Sequence, residues 1–327
     1  MDYVKLGASG VKVSKLCLGM MSYGTAGWPH HPWVLGEADA QPFLKGALDA
    51  GINFFDTADF YSAGASEQIL GNFVKANMKR SDAVIATKVC LTMGDGPNDR
   101  GLSRKHIMEA LDASLARLQT DYVDLLYIHR LDHDTPMEEM AEALNDVVRS
   151  GRALYLGASS MWAWQFAKLR EMQRANGWAR FAVMQNFYNL CYREEEREMI
   201  PYCRAEGVAL VPWSPMARGF LAGNTPKDGK GKTARGETDK LAQGYFGTKQ
   251  DYAILARVEK LADKLGVKPA QVALAWVLAK GVTSPIIGAT KPHHLADAVA
   301  ALDIKLTDAQ IASLEAPYAP RAVQGHS

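Results

Sequence analysis

The run GINFFDTADFY, residues 51–61, decides the fold assignment. Its apolar centre predicts a strand over residues 52–56 that is covered on both faces, as strands of a parallel sheet are. Asp56 ends the apolar run, and Tyr61 follows in a polar, aromatic loop. In a parallel α/β protein, an ionisable side chain at the carboxyl end of a strand is typical of an active site.

Three later apolar runs end in the same way. Lys88 follows AVIAT, His129 follows VDLLYI, and the pair Ser159 and Ser160 follows LYLGA. The carboxyl ends of barrel strands converge on one face of the molecule. The pattern therefore predicts that these side chains gather at a single site.

Strands and helices alternate along most of the chain. A turn signal at residues 7–10 separates two β-prone runs and predicts an N-terminal β-hairpin. Eight strands then follow at spacings of roughly 30 residues, each with a helix after it, as in successive βα units. The series predicts a (β/α)₈ TIM barrel with extra C-terminal helices, built as a single domain over residues 1–327. A doubly wound open sheet is the alternative, but it calls for a G-x-G-x-x-G turn that is missing here.

The pattern also gives the extent of each element. Strands are predicted over residues 16–19, 52–56, 83–88, 122–129, 154–159, 181–186, 208–213 and 284–287. Helices are predicted over residues 38–50, 66–74, 103–118, 136–150, 163–176, 194–206, 252–265, 269–279, 293–302 and 307–314. Ser103 is expected to cap the third of these helices.

Residues 214–250 interrupt the alternation after the seventh strand. The stretch is polar, rich in Gly and Lys and too long for an ordinary connection, which predicts a lid or a mobile insert. We interpret its Lys-rich part, residues 227–240, as a solvated loop able to fold over a cofactor. Residues 231–233 (GKT) resemble the end of a P-loop, but Pro226 stands where that motif needs glycine, so we reject this assignment.

Composition excludes several classes of protein. Of the 327 residues 48% are hydrophobic, which allows a sizeable core, and the net charge of +1 gives no reason to expect nucleic acid or an anionic membrane as partner. The four cysteines show no C-x-x-C spacing, which favours free thiols in a reducing compartment. The first residues lack the features of a signal peptide, and no apolar run is long enough to span a membrane. We expect a cytoplasmic protein; the sequence indicates no oligomeric state.

Four of the side chains predicted to meet could together transfer a proton: Asp56, Tyr61, Lys88 and His129. A free tyrosine hydroxyl has a pKa of about 10, and the ammonium of Lys88 is expected to lower that of Tyr61. Asp56 would keep Lys88 charged away from water, and His129 could donate a hydrogen bond to the same substrate oxygen. The set suits protonation of a carbonyl oxygen while another group attacks the carbon.

The attacking group is not evident in the chain. No activated Ser or Cys, no H-E-x-x-H motif and no clustered metal ligands are found, so a hydride-donating cofactor and a small-molecule carbonyl substrate fit best. An alternative is a lyase or aldolase in which Lys88 forms a Schiff base. Asp56 and Lys88 could also form an ordinary ion pair, and Ser160 could simply cap the next helix.

Seven motifs resemble, in this order, those of the aldo-keto reductase superfamily: GINFFDTADFY, the Lys in VIATK, LLYIHR, LGASSM, QNFYN, PWSPMARGFL and PIIGATK. The resemblance covers nearly the whole chain. It is strongest for bacterial reductases related to the potassium-channel β-subunit branch. It implies reversible NADPH-dependent reduction of aldehydes or ketones. The implied catalytic tetrad is Asp56, Tyr61, Lys88 and His129, with Tyr61 as general acid. A cofactor-sensing module with little turnover, like the channel β-subunits, is the alternative.

The resemblance also implies NADPH extended across the barrel mouth. By motif match, the nicotinamide would contact Ser159, Ser160, Gln185 and Trp213. The pyrophosphate path would be lined by Ser214, Pro215, Met216, Arg218, Gly219 and Leu221. The adenosine end would be surrounded by Gly288, Thr290, Lys291, His294 and Asp297. At the end of the first barrel strand, further cofactor contacts are expected from Gly19, Met20 and Met21.

The adenosine end departs from the family pattern. Where many members carry an Arg that grips the 2′-phosphate, His294 stands here, and Ala298 replaces a common Asn. Lys291 can supply positive charge, although a lysine cannot make the bidentate contact of Arg. On this charge we prefer NADPH to NADH.

The loop after the first strand predicts an aromatic wall over the substrate, built from Tyr23, Trp28 and Trp33. The adjacent histidines at positions 30 and 31 point in different directions and lack a third ligand, so we expect no metal. Arg130 has two interpretations: it binds an anionic substrate group such as a phosphate, or it is a surface arginine after a strand.

Overall fold

The computed structural model describes residues 1–223 and 234–326. Within these residues, an antiparallel hairpin of β1 (Tyr3–Lys5) and β2 (Lys12–Ser14) precedes eight parallel strands. The parallel strands are β3 (Cys17–Gly19), β4 (Phe54–Asp56), β5 (Val84–Val89), β6 (Val123–Ile128), β7 (Ala153–Ser159), β8 (Phe181–Gln185), β9 (Ala209–Leu210) and β10 (Ile286–Ile287).

The parallel sheet curls into a barrel. Its strand order is β10-β3-β4-β5-β6-β7-β8-β9, so each strand pairs with its neighbour in the chain and the last lies beside the first. The outer strands β9 and β10 are joined at their ends by backbone hydrogen bonds. The Thr283 N–H donates to the Leu210 carbonyl at 2.8 Å, and the Ile286 N–H donates to the Pro212 carbonyl at 2.9 Å. The predicted (β/α)₈ barrel with its N-terminal hairpin is confirmed.

Helices surround the sheet. In the described residues they are α1 (Glu37–Asp49), α2 (Ala65–Asn77), α3 (Arg104–Leu118), α4 (Met137–Arg149), α5 (Ala163–Ala175), α6 (Met199–Ala205), α7 (Ala234–Thr238), α8 (Lys240–Tyr245), α9 (Lys249–Leu265), α10 (Pro269–Ala279), α11 (Pro292–Ala300) and α12 (Asp308–Glu315). Ser103 caps α3 as predicted, because its hydroxyl accepts a hydrogen bond from the His106 N–H at 3.2 Å. No helix in the described part of the chain is long and apolar enough to cross a membrane.

The hairpin closes the bottom of the barrel. Leu6 and Val13 are buried against side chains that fill the barrel interior, among them Phe54 and Tyr127. The Ala8 N–H donates to the carbonyl of Gly207 just before β9, which fixes the hairpin at the amino ends of the strands. The carboxyl ends on the opposite face are therefore left to form a site.

Two predicted elements differ in extent from the structure. The helix predicted over residues 194–206 is broken into a 3₁₀ turn, Glu194–Glu196, and α6. Glu194 accepts hydrogen bonds from the Tyr318 hydroxyl at 2.6 Å and the Arg321 N–H at 2.9 Å, so contacts with the C-terminal tail override helical periodicity. The strand predicted over residues 208–213 shortens to β9, and beyond it Trp213 makes only an isolated bridge to Phe187.

The described part of the insert after the seventh strand forms short helices. It contains a 3₁₀ helix, Ala217–Ala222, followed by α7 and α8. The expectation of a solvated loop is wrong for Asp239, which is only 1% exposed, and residues 234–238 are helical, whereas Glu237, Thr238 and Lys240 are exposed as expected. The GKT run at residues 231–233 and the rest of the Lys-rich part lie outside the described residues.

The close approach of β6 and β7 gives a test of the barrel packing. A Cβ atom on Gly157 would overlap the ring of Tyr127, which is completely buried and has no room to move aside. We expect Gly157→Ala to lower the free energy of unfolding by about 1–3 kcal/mol, the usual cost of overpacking. Urea denaturation measures this. The matched control is Gly10→Ala, where a Cβ meets nothing within 4 Å; equal stability of the two variants would contradict the prediction.

Candidate active site

A cavity of about 1210 Å³ lies at the carboxyl ends of the strands. Asp56, Tyr61 and His129 line its floor, while Lys88 lies completely buried behind them. From this floor the cavity runs along the 3₁₀ helix Ala217–Ala222 to the start of α11. The structure thus brings together the four side chains that the strand ends predicted.

Lys88 is the hub of this group. Its Nζ donates hydrogen bonds to Asp56 Oδ1 at 2.6 Å, to the Thr57 carbonyl at 2.7 Å and to Tyr61 Oη at 3.1 Å. Burial alone lowers the pKa of Lys88, but the Asp56 carboxylate and Tyr61 outweigh burial and raise it above the usual range. An ammonium whose three hydrogens are all engaged has no free lone pair, so the Schiff-base interpretation of Lys88 has no support in this geometry.

Gln185 holds the other oxygen of Asp56. Its Nε2 donates to Asp56 Oδ2 at 2.8 Å, deep between β4 and β8. The family resemblance implied a contact of Gln185 with a nicotinamide; here the amide nitrogen is engaged with the carboxylate that compensates Lys88. Sequence reasoning missed this bond, because the two residues are separated by 129 positions.

The loop after β4 turns Tyr61 towards the cavity floor. Its 3₁₀ turn, Tyr61–Gly64, contains two non-glycine residues in the left-handed region, Ser62 with φ of 51° and Ala63 with φ of 50°. Left-handed backbone costs roughly 1–2 kcal/mol per such residue and is concentrated at functional sites. The turn sets the Tyr61 ring edge-on to His129, with 5.7 Å between ring centroids and 83° between planes.

Burial decides the protonation of Tyr61. It raises the pKa of the hydroxyl above its ordinary value, and the opposing charges of Lys88 and Arg130 do not outweigh it. The lowering expected from sequence is therefore wrong in its net direction, because desolvation by the surrounding protein is larger than the effect of the ammonium. Tyr61 carries its proton at neutral pH. Since Lys88 donates to the Tyr61 oxygen, that proton is free to point into the cavity.

His129 is neutral for a related reason. Burial, helped by the positive charges of Lys88 and Arg130, holds the pKa of His129 well below its usual range. Its Nδ1 is buried and has no hydrogen-bond partner among the described residues. A neutral imidazole carries one N–H, so the ring can donate one hydrogen bond to a group bound beside Tyr61.

The residues expected around a nicotinamide hold one another in this structure. Ser159 Oγ donates to the Gln185 carbonyl at 3.0 Å, and Ser160 Oγ accepts from Trp213 Nε1 at 3.0 Å. Ser160 does not cap α5, whose N-cap is Trp162. One face of the Trp213 indole stacks on Phe187 with 4.3 Å between centroids. Trp213 also lines the cavity, so its ring is held firmly at the cavity wall.

Along the expected pyrophosphate path, one carboxylate binds two arginines. Asp239 Oδ2 lies 2.7 Å from Arg218 Nε and 3.0 Å from Arg235 Nε. Burial alone would raise the pKa of Asp239, but the two guanidinium groups outweigh it and lower the pKa below its usual value. The Arg235 guanidinium also lies over the Trp33 ring at 5.3 Å. These contacts hold residues 234–245 across the cavity.

The far end of the cavity is rich in nitrogen groups. His294 Nδ1 accepts a hydrogen bond from the Thr290 N–H at 3.2 Å, and burial, then His293 and Lys291, lower the pKa of His294 to about 4. Lys268 Nζ lies 2.8 Å from the carboxylate of Asp297. Sequence reasoning missed Lys268. It precedes α10, and only the packing of α10 against α11 brings it to the cavity.

Most residues expected to contact a cofactor line this cavity. They are Gly19, Met21, Ser159, Gln185, Trp213, Ser214, Pro215, Met216, Arg218, Gly219, Gly288, Thr290, Lys291, His294 and Asp297. The remaining three do not line it, because their side chains are buried in the surrounding structure: Met20, Ser160 and Leu221.

The aromatic wall differs from the one predicted. Trp33 lines the cavity, together with Phe60, which sequence reasoning missed. Trp28 does not line it but packs edge-on against Phe60 at 5.2 Å. Tyr23 is completely buried, and its hydroxyl donates to the Ala289 carbonyl at 2.6 Å, so its assignment to the substrate pocket is corrected. His30 and His31 line the cavity rim, and no cluster that could hold a metal ion is found in the described residues.

Comparison with known proteins gives matches over nearly the whole chain. A model of the Aldo/keto reductase family matches residues 15–319. The chain is 47% identical to versiconal hemiacetal acetate reductase of Aspergillus parasiticus, over 99% of this chain and 98% of the relative. It is 43% identical to an aldo-keto reductase of Fusarium vanettenii, over 100% and 93% of the two chains. An aldo-keto reductase of Alternaria alternata is 42% identical, over 99% and 94%. These three relatives are fungal.

The electrostatics of the floor give a direct test. Because burial and two neighbouring cations hold the pKa of His129 well below its usual range, its ring should stay neutral between about pH 6 and 8, where an ordinary histidine titrates. Nitrogen-15 NMR of the imidazole signals measures this, with the His129 signal assigned by its loss in His129→Gln. A titration midpoint of that signal inside this pH range would contradict the electrostatic argument.

Proposed function

This chain belongs to the aldo/keto reductase family, and from that premise we propose that it reduces aldehydes or ketones reversibly to alcohols with NADPH, using Tyr61 as the proton donor. Family membership makes it an oxidoreductase of carbonyl compounds. The observation that carries the finer proposal is the placement of the Tyr61 hydroxyl. It lies 3.1 Å from a buried ammonium, beside a neutral histidine, on the floor of a large cavity.

Each member of the tetrad has a defined task in this proposal. When bound, the reduced nicotinamide supplies a hydride to the carbonyl carbon. Tyr61 donates its proton to the carbonyl oxygen, and the ammonium of Lys88 stabilises the phenolate that remains. Asp56 keeps Lys88 charged and fixes its direction. His129 donates a hydrogen bond to the same oxygen and so helps to orient the carbonyl.

The chain's own residues suit a dinucleotide. The cavity of about 1210 Å³ exceeds the usual 300–1,000 Å³ of small-molecule sites and leaves room for a cofactor and a substrate together. The Trp213 ring, fixed by Phe187 and Ser160, offers a flat apolar surface at the nicotinamide end. Arg218 offers a guanidinium to the pyrophosphate, in exchange for Asp239. We infer that residues 234–245 act as a lid. The lid would open or close when Arg218 exchanges Asp239 for the pyrophosphate.

The far end favours NADPH over NADH. Lys291 and Lys268 both reach this part of the cavity, and a 2′-phosphate carries negative charge that NADH lacks. His294 is neutral there, and because its Nδ1 accepts the Thr290 N–H, its other nitrogen carries the hydrogen and can donate. Lys291 and one donor would thus take the place of the bidentate Arg, and Lys268 would add its charge only in competition with Asp297. The free, buried thiols suit a reducing compartment, and we infer a single-domain enzyme of the cytoplasm.

Cofactor preference can be tested at Lys291. We expect Lys291→Met to weaken the binding of NADPH about tenfold more than that of NADH, because one charge-assisted contact to the phosphate is lost. Quenching of tryptophan fluorescence measures both dissociation constants. The matched control is Lys79→Met, an exposed lysine that does not line the cavity. Equal weakening of the two cofactors would contradict the role of Lys291.

The proton donor can be tested by removing one oxygen atom. We expect Tyr61→Phe to lower the kcat for aldehyde reduction by about 10²–10⁴-fold, the usual contribution of a general acid, with NADPH affinity nearly unchanged. Steady-state NADPH oxidation and fluorescence titration measure the two quantities. Tyr202→Phe, half-buried on α6, is the control. Full activity in Tyr61→Phe would refute the role, and negligible turnover of the wild type despite tight NADPH binding would identify a cofactor sensor instead.

A further inference from the structure

Arg130 projects from the end of β6 into the floor of the cavity, directly after His129. Its Nη1 donates to the His129 carbonyl at 2.6 Å and lies 3.4 Å from Ser159 Oγ. The guanidinium carbon lies 6.0 Å from the centre of the Trp213 ring. The other two nitrogens of the guanidinium have no hydrogen-bond partner among the described residues, and Arg130 lines the same cavity as Tyr61.

The charge of Arg130 is uncompensated. Within the described part of the chain no carboxylate oxygen lies within 4.0 Å of it, whereas Arg218 and Arg235 share Asp239, and Lys268 pairs with Asp297. Arg130 is partly exposed at the cavity wall, so its guanidinium is accessible to an anionic group that enters the cavity.

The groups that interact electrostatically with Arg130 do not supply that counter-charge. Burial lowers the pKa of Arg130, and the groups that oppose this effect are Tyr61, Tyr245 and Cys90. All three are neutral at neutral pH, since burial raises the pKa of each above its ordinary value. The guanidinium therefore keeps its charge, and none of these three groups carries a negative charge that could pair with it. The charged pair of Lys88 and Asp56 lies beyond Tyr61 and is already paired within itself.

The surroundings of Arg130 also restrict the shape of a ligand. Phe60 and Trp33 line the same cavity and present flat apolar surfaces. Aromatic side chains pack best against a planar, apolar body. A low-polarity wall also strengthens any ion pair made beside it, because water is excluded. A planar ring that carries one anionic group would satisfy both features at once.

We propose that Arg130 binds the carboxylate of an aromatic aldehyde, so that the enzyme prefers carboxybenzaldehydes to their neutral counterparts. A guanidinium can bind a carboxylate through two parallel N–H···O bonds, and this contact fixes the position of the ring as well as its charge. The inference rests on the proposed carbonyl reduction, and it adds a binding contact without adding a chemical step. Arg130 becomes a specificity-determining residue of that reaction.

The first test compares acids with esters on the wild-type enzyme. We expect at least one of 2-, 3- and 4-carboxybenzaldehyde to be reduced with a kcat/KM about 10- to 100-fold higher than that of its methyl ester, the range of a charge-assisted hydrogen bond. Three isomers are used because only one spacing of aldehyde and carboxylate can match Tyr61 and Arg130. If the methyl esters are reduced as efficiently as all three acids, the proposal is overturned. This test uses only the wild-type enzyme, so it does not depend on the folding of a variant.

Variants then assign the preference to one side chain. In Arg130→Met the ratio of acid to ester should fall to about one, and Arg130→Lys should keep part of it, since a lysine retains the charge but loses the bidentate contact. Arg149→Met is the matched control, because Arg149 is exposed at the carboxyl end of α4 and does not line the cavity. A ratio unchanged in Arg130→Met would overturn the proposal.

A binding measurement separates this inference from the proposed function. Calorimetry with the NADP⁺-loaded protein should show binding of benzoate to the wild type and to Arg149→Met, but not to Arg130→Met, while benzamide should bind to none of them. Benzoate binding without reduction of any aldehyde would uphold the anion site and sink the proposed reduction. Reduction of neutral aldehydes without benzoate binding would sink the anion site and leave the reduction standing.

Discussion

The buried ion pair of Lys88 and Asp56 is the interaction on which the site depends. An ammonium taken out of water costs several kcal/mol unless its charge and hydrogens are satisfied. Here Asp56 lies 2.6 Å away, and the Thr57 carbonyl and the Tyr61 hydroxyl take the remaining hydrogens. Asp56 in turn is held by Gln185 from across the barrel. Displacing one partner would leave an unpaired charge inside the protein. The pair therefore holds Lys88, and with it the Tyr61 oxygen, in a fixed position.

Strand order makes this pair possible. Asp56 ends β4 and pairs in register with Ala86, so Lys88 lies further along the neighbouring strand β5 at the same face. This arrangement is visible in the sequence as apolar runs that end in ionisable residues. The barrel and the meeting of the four side chains could therefore be predicted. A β-prone run can be recognised from the local sequence alone. The parallel barrel then brings the carboxyl ends of all its strands to one side.

What the sequence could not supply were quantities that depend on the finished packing. The pKa of Tyr61 is a balance between burial and the charge of Lys88, and only the structure shows that burial is larger. Tyr23 was misplaced because its contact with Ala289 joins segments 266 residues apart. The broken helix at residues 194–206 has the same cause, since Tyr318 from the C-terminal tail competes for Glu194. Local patterns carry no information about such partners.

The cavity contains two kinds of cation, and the difference between them has a physical meaning. Arg218 is compensated within the chain by Asp239, so an incoming anion must compete with a carboxylate already in place, and its gain is only the difference between the two contacts. Arg130 has no carboxylate partner within 4.0 Å among the described residues, so an anion there does not have to displace one. The first arrangement suits a contact that opens and closes. The second suits a fixed contact that selects the molecule bound beside Tyr61.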